Sequence, residues 1–153
     1  MRKIALVAGM GSAVMLLGAL YFQYFMDLAP CKMCIWQRWP HGIAIVLGIV
    51  AFFVPLRIIT LAGAAVVLAG AAIAGYHAGV ELAWFAGPDT CTSGDISALS
   101  AEALMAQILS APVVRCDEVA WSLFGLSMAA WNGIISVGLA GIWLLAFKKG
   151  ATA

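Results

Sequence analysis

The chain has 153 residues, room for one domain, and 65% of them are hydrophobic while only 10% are charged. A soluble domain usually carries about 25% charged residues, so this composition argues against a water-surrounded fold and for a lipid-embedded one. A net charge of +1 offers no electrostatic footprint for nucleic acid, which is not expected as a partner.

A helix needs about 20 mainly apolar residues to cross a bilayer. The uncharged run 4–25 predicts the first span. Arg2-Lys3 ahead of it resembles the start of a signal peptide, but the apolar run is too long and no small-x-small cleavage site follows before Tyr21, so a retained helix is expected. The second span is expected over 35–54, with Arg38 as its one charge. A helix starting only at Pro40 would cover about 22 Å at 1.5 Å per residue, short of a hydrocarbon core of about 30 Å. A start near Cys34 restores the length and makes Pro40 a kink inside the helix. Uncharged runs predict the third and fourth spans over 58–76 and 126–147. Between them, Gly87-Pro88-Asp89 and Ser93-Gly94-Asp95 read as turns. Ala101, Leu104, Met105 and Ile108 recur at helical spacing after Ser100, a plausible N-cap. They predict a short amphipathic helix lying on the membrane surface or packed on the spans. The fold expected is all-α: a transmembrane four-helix bundle forming a single integral membrane domain over 1–153, with two external loops.

Lys and Arg favour cytoplasmic flanks. Arg2, Lys3, Arg57, Lys148 and Lys149 sit at the termini and between the second and third spans, which places those segments in the cytoplasm. The other two loops are then external. All seven acids (Asp27, Glu81, Asp89, Asp95, Glu102, Asp117 and Glu118) fall in these loops or at their edges, as does every cysteine. The space outside an inner membrane is oxidising, and disulfides persist there. Tyr21, Tyr24, Trp36, Trp39, Tyr76, Trp84, Trp121 and Trp131 gather toward the same external side, with Trp143 toward the cytoplasm. Interfacial anchoring accounts for most of them. A flat cofactor bound at that level would also want such walls.

The four cysteines allow three pairings, and proximity favours Cys31 with Cys34. A two-residue gap closes almost no loop, so this pair has little to offer as a staple and reads as reactive. Thiolates are stabilised by helix N-termini and nearby cations, and Cys34 has both at hand: the start of the second span, and Arg38 four residues on, sharing its helix face. An arginine at the edge of a span usually has a functional reason. Cys91 and Cys116 would close a long loop, worth about 3–4 kcal/mol as a disulfide. Spacing leaves them equally readable as structural or redox-active. Zinc is the chemical rival, with His41 or His77 as further ligands, but there is one CxxC and not two, so no metal is expected. His77 ends the third span, and Glu81 would orient it if the helix continues that far.

Pro30-Cys31-Lys32-Met33-Cys34-Ile35-Trp36-Gln37-Arg38-Trp39-Pro40 resembles the first external motif of the DsbB family, quinone-dependent thiol oxidases of the bacterial inner membrane. Arg115-Cys116-Asp117-Glu118 and then Trp121 to Met128 resemble its second motif, and Trp131-Asn132 continues that match. The resemblance covers nearly the whole chain. It implies an oxidoreductase with a quinone cofactor, ubiquinone or menaquinone, and a thioredoxin-fold DsbA-like periplasmic partner. Cys31 and Cys34 would be the pair that reduces quinone, with Cys34 nearest the ring and Arg38 supporting thiolate and quinone. Cys91 would form the mixed disulfide with the partner, and Cys116 would connect to Cys31. His77 matches a position near the quinone. Two alternatives stand beside this: a relative serving a dedicated partner, and a non-enzymatic membrane assembly factor with structural disulfides.

Overall fold

The protein is described from a computed structural model, which covers residues 1–88, 100, 102, 105 and 114–150. Four long helices dominate: α1 (Arg2–Tyr24), α2 (Lys32–Phe53), α3 (Arg57–Glu81) and α4 (Met128–Lys149). α1, α3 and α4 are each long and apolar enough to cross a membrane. α2 matches them in length, but Gln37, Arg38 and His41 make its first half more polar. Each helix packs on its sequence neighbours, and α4 closes the ring against α1. The chain is thus an all-α membrane bundle. The surface helix expected over 101–109 lies almost entirely outside the described residues, and Cys91 lies outside them altogether.

The interior of the bundle is built from small residues and its exterior from large ones. Ala5, Ala8, Ala44, Ala51, Ala64, Ala140 and Ala146 are buried, whereas Val7, Met10, Val46, Ile49, Leu68 and Val137 face outward. Lipid tails are as apolar as any leucine, so nothing drives large side chains inward, and helices associate by close backbone approach. Gly9 on α1 meets Gly48 on α2 this way: a Cβ on Gly48 would stand 3.0 Å from the Gly9 Cα and 3.2 Å from the Ala5 carbonyl oxygen. The largest side chain fully enclosed among the described residues is Trp143. The Trp143 ring lies where a Cβ on Gly63 would approach to 2.6 Å, so that glycine makes room for the indole.

α2 runs unbroken through Pro40, as the span-length argument requires. Its proline lies against Gly70 of α3, where an added Cβ would come within 3.0 Å. α3 continues past Tyr76 to Glu81, bringing His77 and Glu81 onto one helix. The start of α4 is shaped by a feature that hydropathy alone does not reveal. Leu126 and Ser127 pair as β2 with β1 (Ser122–Leu123), antiparallel, in the register Ser122 to Ser127. Phe124 and Gly125 both have positive φ (52° and 78°), the requirement of a primed two-residue hairpin turn. Ser127 then caps α4 by accepting a hydrogen bond from the Ala130 N–H at 3.2 Å. The Trp131 indole N–H donates to the Leu123 carbonyl at 3.0 Å, tying the hairpin to the helix.

Gly150 lies beside Met1 and Arg57, so the start of α1, the end of α4 and the α2–α3 turn share one end of the bundle. Arg57 stacks over the Phe147 ring there, 4.4 Å from its centroid. The described cysteines are at the opposite end.

Candidate functional site: a dithiol over a buried polar file

Cys31 is the N-cap of α2, and its sulfur accepts the Cys34 backbone N–H at 3.2 Å. This cap bends the chain so that both sulfurs meet on the first turn. The Cys31 thiol donates to the Cys34 sulfur at 2.7 Å. Cys31 and Cys116 are both buried and pack with Met33 in one cluster, to which Cys34 and Val114 add. The Cys31 thiol is pushed up to about 12, first by its hydrogen bond to Cys34 and then by burial. The Cys31 thiol therefore holds its proton, which it donates to the Cys34 sulfur.

His77 reaches the same cluster from α3. Its Nε2 lies 3.6 Å from the Cys31 sulfur and 3.9 Å from a Glu81 carboxyl oxygen. Its Nδ1 lies 2.7 Å from the Gln37 side-chain nitrogen. Gln37 in turn accepts from Asn132 of α4 at 2.6 Å, and the Asn132 oxygen lies 2.8 Å from His41 Nε2. Ser136 also donates to that oxygen, at 3.3 Å. Gln37, His41 and His77 are each buried, with at most 5% of their surface exposed. Polar groups so deep in an apolar bundle need partners, since each unpaired one would carry its full desolvation penalty.

An apolar cavity of about 380 Å³ opens beside Cys34, between α1, α2 and the segment leading into α4. Val14, Ala19 and Phe22 line one side and Trp121, Met128 and Trp131 another, and the polar rim includes Cys34, Arg38 and His77. Phe22 and Trp121 lean on each other at 4.9 Å. Of the eight external aromatics singled out in the sequence, Trp121 and Trp131 line this cavity. Tyr21, Tyr24, Trp36, Trp39, Tyr76 and Trp84 are exposed on the outside of the bundle, where interfacial anchoring explains them. Arg38 also lines the cavity, but its hydrogen bond runs to Gln23 of α1 at 2.5 Å, and its Nε is buried without a partner.

Next to Cys116 the chain is pinned by charge. Arg115 holds Asp117 through two hydrogen bonds, 2.9 and 2.6 Å, and reaches Glu118 at 3.5 Å. The Arg115 guanidinium holds the Asp117 carboxyl below its ordinary value. Cys116 thus belongs to the packed cluster at the head of α2.

Ligand atoms of Cys31, Cys34 and His77 lie within 4.8 Å of one another. Two thiolates on one tetrahedral zinc, each about 2.3 Å from it, stand about 3.8 Å apart. The two sulfurs stand 2.7 Å apart, joined by a hydrogen bond.

The structure therefore brings together Cys31, Cys34, Cys116, His77 and the cavity edge bearing Arg38. Sequence reading attached no role to Gln37 or Asn132, although both are polar residues within apolar spans, the available signal.

An apolar helical bundle that presents paired thiols at one end defines a membrane protein of thiol–disulfide chemistry. The family model described as disulfide bond formation protein DsbB matches residues 1–146, and the chain belongs to that family. It is 30% identical to "Disulfide bond formation protein B" of Stutzerimonas stutzeri, over 94% of each chain. It is 33% identical to the protein of the same name from Methylococcus capsulatus, covering 94% of this chain and 92% of that one. A third, from Shewanella frigidimarina, is 33% identical over 84% of this chain and 79% of its own. No solved structure gives a significant match.

Proposed function

We propose that this membrane disulfide-bond formation protein oxidises the dithiol of a DsbA-like thioredoxin-fold periplasmic protein and hands the electrons to a membrane quinone, ubiquinone or menaquinone. The observation that carries this reading is the meeting of Cys31 and Cys34 at the edge of an apolar cavity, with Cys116 packed behind them. Exchange proceeds by thiolate attack on a disulfide sulfur through a mixed disulfide. Under this reading Cys91 forms the mixed disulfide with the partner, and Cys116 relays to Cys31, beside which it is packed. Both sulfurs border the cavity; Cys34, the less buried of the two, accepts the Cys31 hydrogen bond and is the sulfur that meets the quinone under this reading. Each partner dithiol converted to a disulfide yields two electrons and two protons, and a bound quinone supplies the acceptor for both.

The cavity suits an isoprenoid quinone: its walls are apolar, and Arg38 Nε is an unpaired donor at its polar rim. Arg38 and His77 would hold the head group, with Trp121 and Trp131 walling the ring. The basic residues gathered with both termini at the opposite end favour a bacterial inner-membrane orientation with the termini cytoplasmic and the thiols periplasmic.

The test is anaerobic mixing of the purified protein with reduced DsbA-like partner and quinone, followed by quinone absorbance. Turnover is expected from the native protein and none from Cys34→Ser or Cys91→Ala. Continued turnover by Cys34→Ser would sink the mechanism, and would leave an assembly factor with structural disulfides as the better reading.

A further inference from the structure

Beneath the dithiol, polar side chains of three helices form one continuous file: His41, Asn132, Gln37, His77, Cys31, Cys34. Its two amides give it direction. An amide oxygen only accepts and an amide nitrogen only donates, so two amides in series transmit the choice made at one end to the other. Two registers are conceivable. In one, every donor points toward Cys34; in the other, every donor points toward His41.

Three features select the first register. Asn132 Nδ2 donates to the Gln37 oxygen, which turns the Gln37 nitrogen, a donor, toward His77 Nδ1. Nδ1 then carries the lone pair and Nε2 the proton. A Glu81 carboxyl oxygen lies 3.9 Å from Nε2, where it favours an N–H over a lone pair. At the far end, His41 Nδ1 is buried without a hydrogen-bond partner. The first register leaves a bare lone pair there, whereas the reverse would bury an unpaired N–H.

We propose that Gln37 and Asn132 are positioning residues of the dithiol: they hold His77 as the Nε2–H tautomer, so that its proton rests on the Cys31 sulfur and the Cys31 proton on Cys34. Neither amide touches the reacting sulfurs. They act through His77, and the aligned file favours negative charge at its last member, the Cys34 sulfur beside the cavity. Hydrogen bonds in such a chain polarise one another in a low-dielectric interior. This deepens the thiol-oxidase reading and rests on it only for what Cys34 does next, because the tautomer belongs to the resting protein.

The test needs neither partner nor quinone. Nitrogen-15 NMR of the reduced full-length protein, labelled at histidine, separates a protonated ring nitrogen from a bare one. His77 is expected as Nε2–H, and Gln37→Leu is expected to leave a mixture of tautomers. Iodoacetamide capture of Cys34 at neutral pH should slow about tenfold in that variant, the worth of one neutral hydrogen bond. Asn132→Leu should act in the same direction if Gln37→Leu does not fold, and Val137→Ala, on the outward face of the same helix, should change neither readout. An Nδ1–H tautomer in the native protein overturns the proposal. So does a Gln37→Leu protein with His77 still wholly Nε2–H and Cys34 captured at the native rate. Failure here with quinone reduction intact would remove the file's role and leave the thiol-oxidase reading standing.

Discussion

The two ends of the bundle solve opposite problems with the same four helices. At the end bearing the termini, Gly63 gives way to Trp143, and alanines fill the interior around Ala51, Ala64 and Ala146. Among the described residues, that end's interior is nearly free of polar side chains beyond Thr60, whose hydroxyl returns to the Arg57 carbonyl. At the thiol end, α2, α3 and α4 instead enclose two histidines and two amides in hydrogen-bonded contact, with the Glu81 carboxyl 3.9 Å from His77. The first end holds helices together by shape. The second spends part of that packing on a polar file and an adjoining cavity. A membrane bundle can carry such a file only where neighbouring helices satisfy most of its groups, because lipid offers no water to do so. Chemistry is therefore concentrated where four elements converge, and the shape-packed end keeps them converged.

This contrast can be broken from either side. The largest effect on the fold should come from Gly63→Leu, which drives a side chain into the Trp143 ring. Overpacking of this kind costs about 1–3 kcal/mol. Thermal unfolding in detergent should shift downward, while protein that remains folded keeps its dithiol reactivity. A stability equal to the native one would mean that the Gly63–Trp143 contact is not close.

Arg38→Ala works on the other end and should leave unfolding nearly unchanged, since its hydrogen bond to Gln23 is at the rim of the cavity. The expected result is a rise of about tenfold or more in the apparent quinone KM, on the scale of a hydrogen bond to a charged group. An unchanged quinone dependence would count against the cavity as the quinone site.

The smallest effect should come from Asp117→Asn. The folded Asp117 carboxyl lies below its ordinary value of 3.8, chiefly because Arg115 hydrogen-bonds it. Whatever stability this adds is present above 3.8 and is lost as pH falls through the lowered folded value. The pair is solvent-exposed and screened, so little is at stake. Unfolding stability of the native and variant proteins should differ only slightly above about pH 4 and converge below it. A clear difference at neutral pH would show that the pair holds Cys116 in place more firmly than an exposed ion pair can.

Much of the architecture follows from hydropathy read along the chain. The apolar runs delimit the helices, and the length needed to cross a bilayer carries α2 through Pro40. The clustering of basic residues at one end and cysteines at the other is equally legible, because charge and thiol positions are local properties. The reactive character of Cys31-x-x-Cys34 is local too, since the two sulfurs are separated by a single helical turn. The hairpin before α4 is harder: Leu126 and Ser127 read as the start of an apolar run, and only the positive φ at Phe124 and Gly125 pairs them with Ser122 and Leu123.

The amino-acid sequence by itself determined that this is a membrane-embedded helical protein with a cysteine pair at a helix start, because those facts rest on composition, run length and near-neighbour spacing. Tertiary structure alone decided what surrounds the dithiol. His77 meets Cys31 across 46 positions, and Asn132 meets Gln37 across 95. Such contacts depend on which faces of α2, α3 and α4 turn inward, and that is set by where glycine and alanine let the helices approach. The cavity beside Cys34, the partnership of Arg38 with Gln23, and the direction of the file from His41 to Cys34 all follow from that packing, and none has a signature at short range.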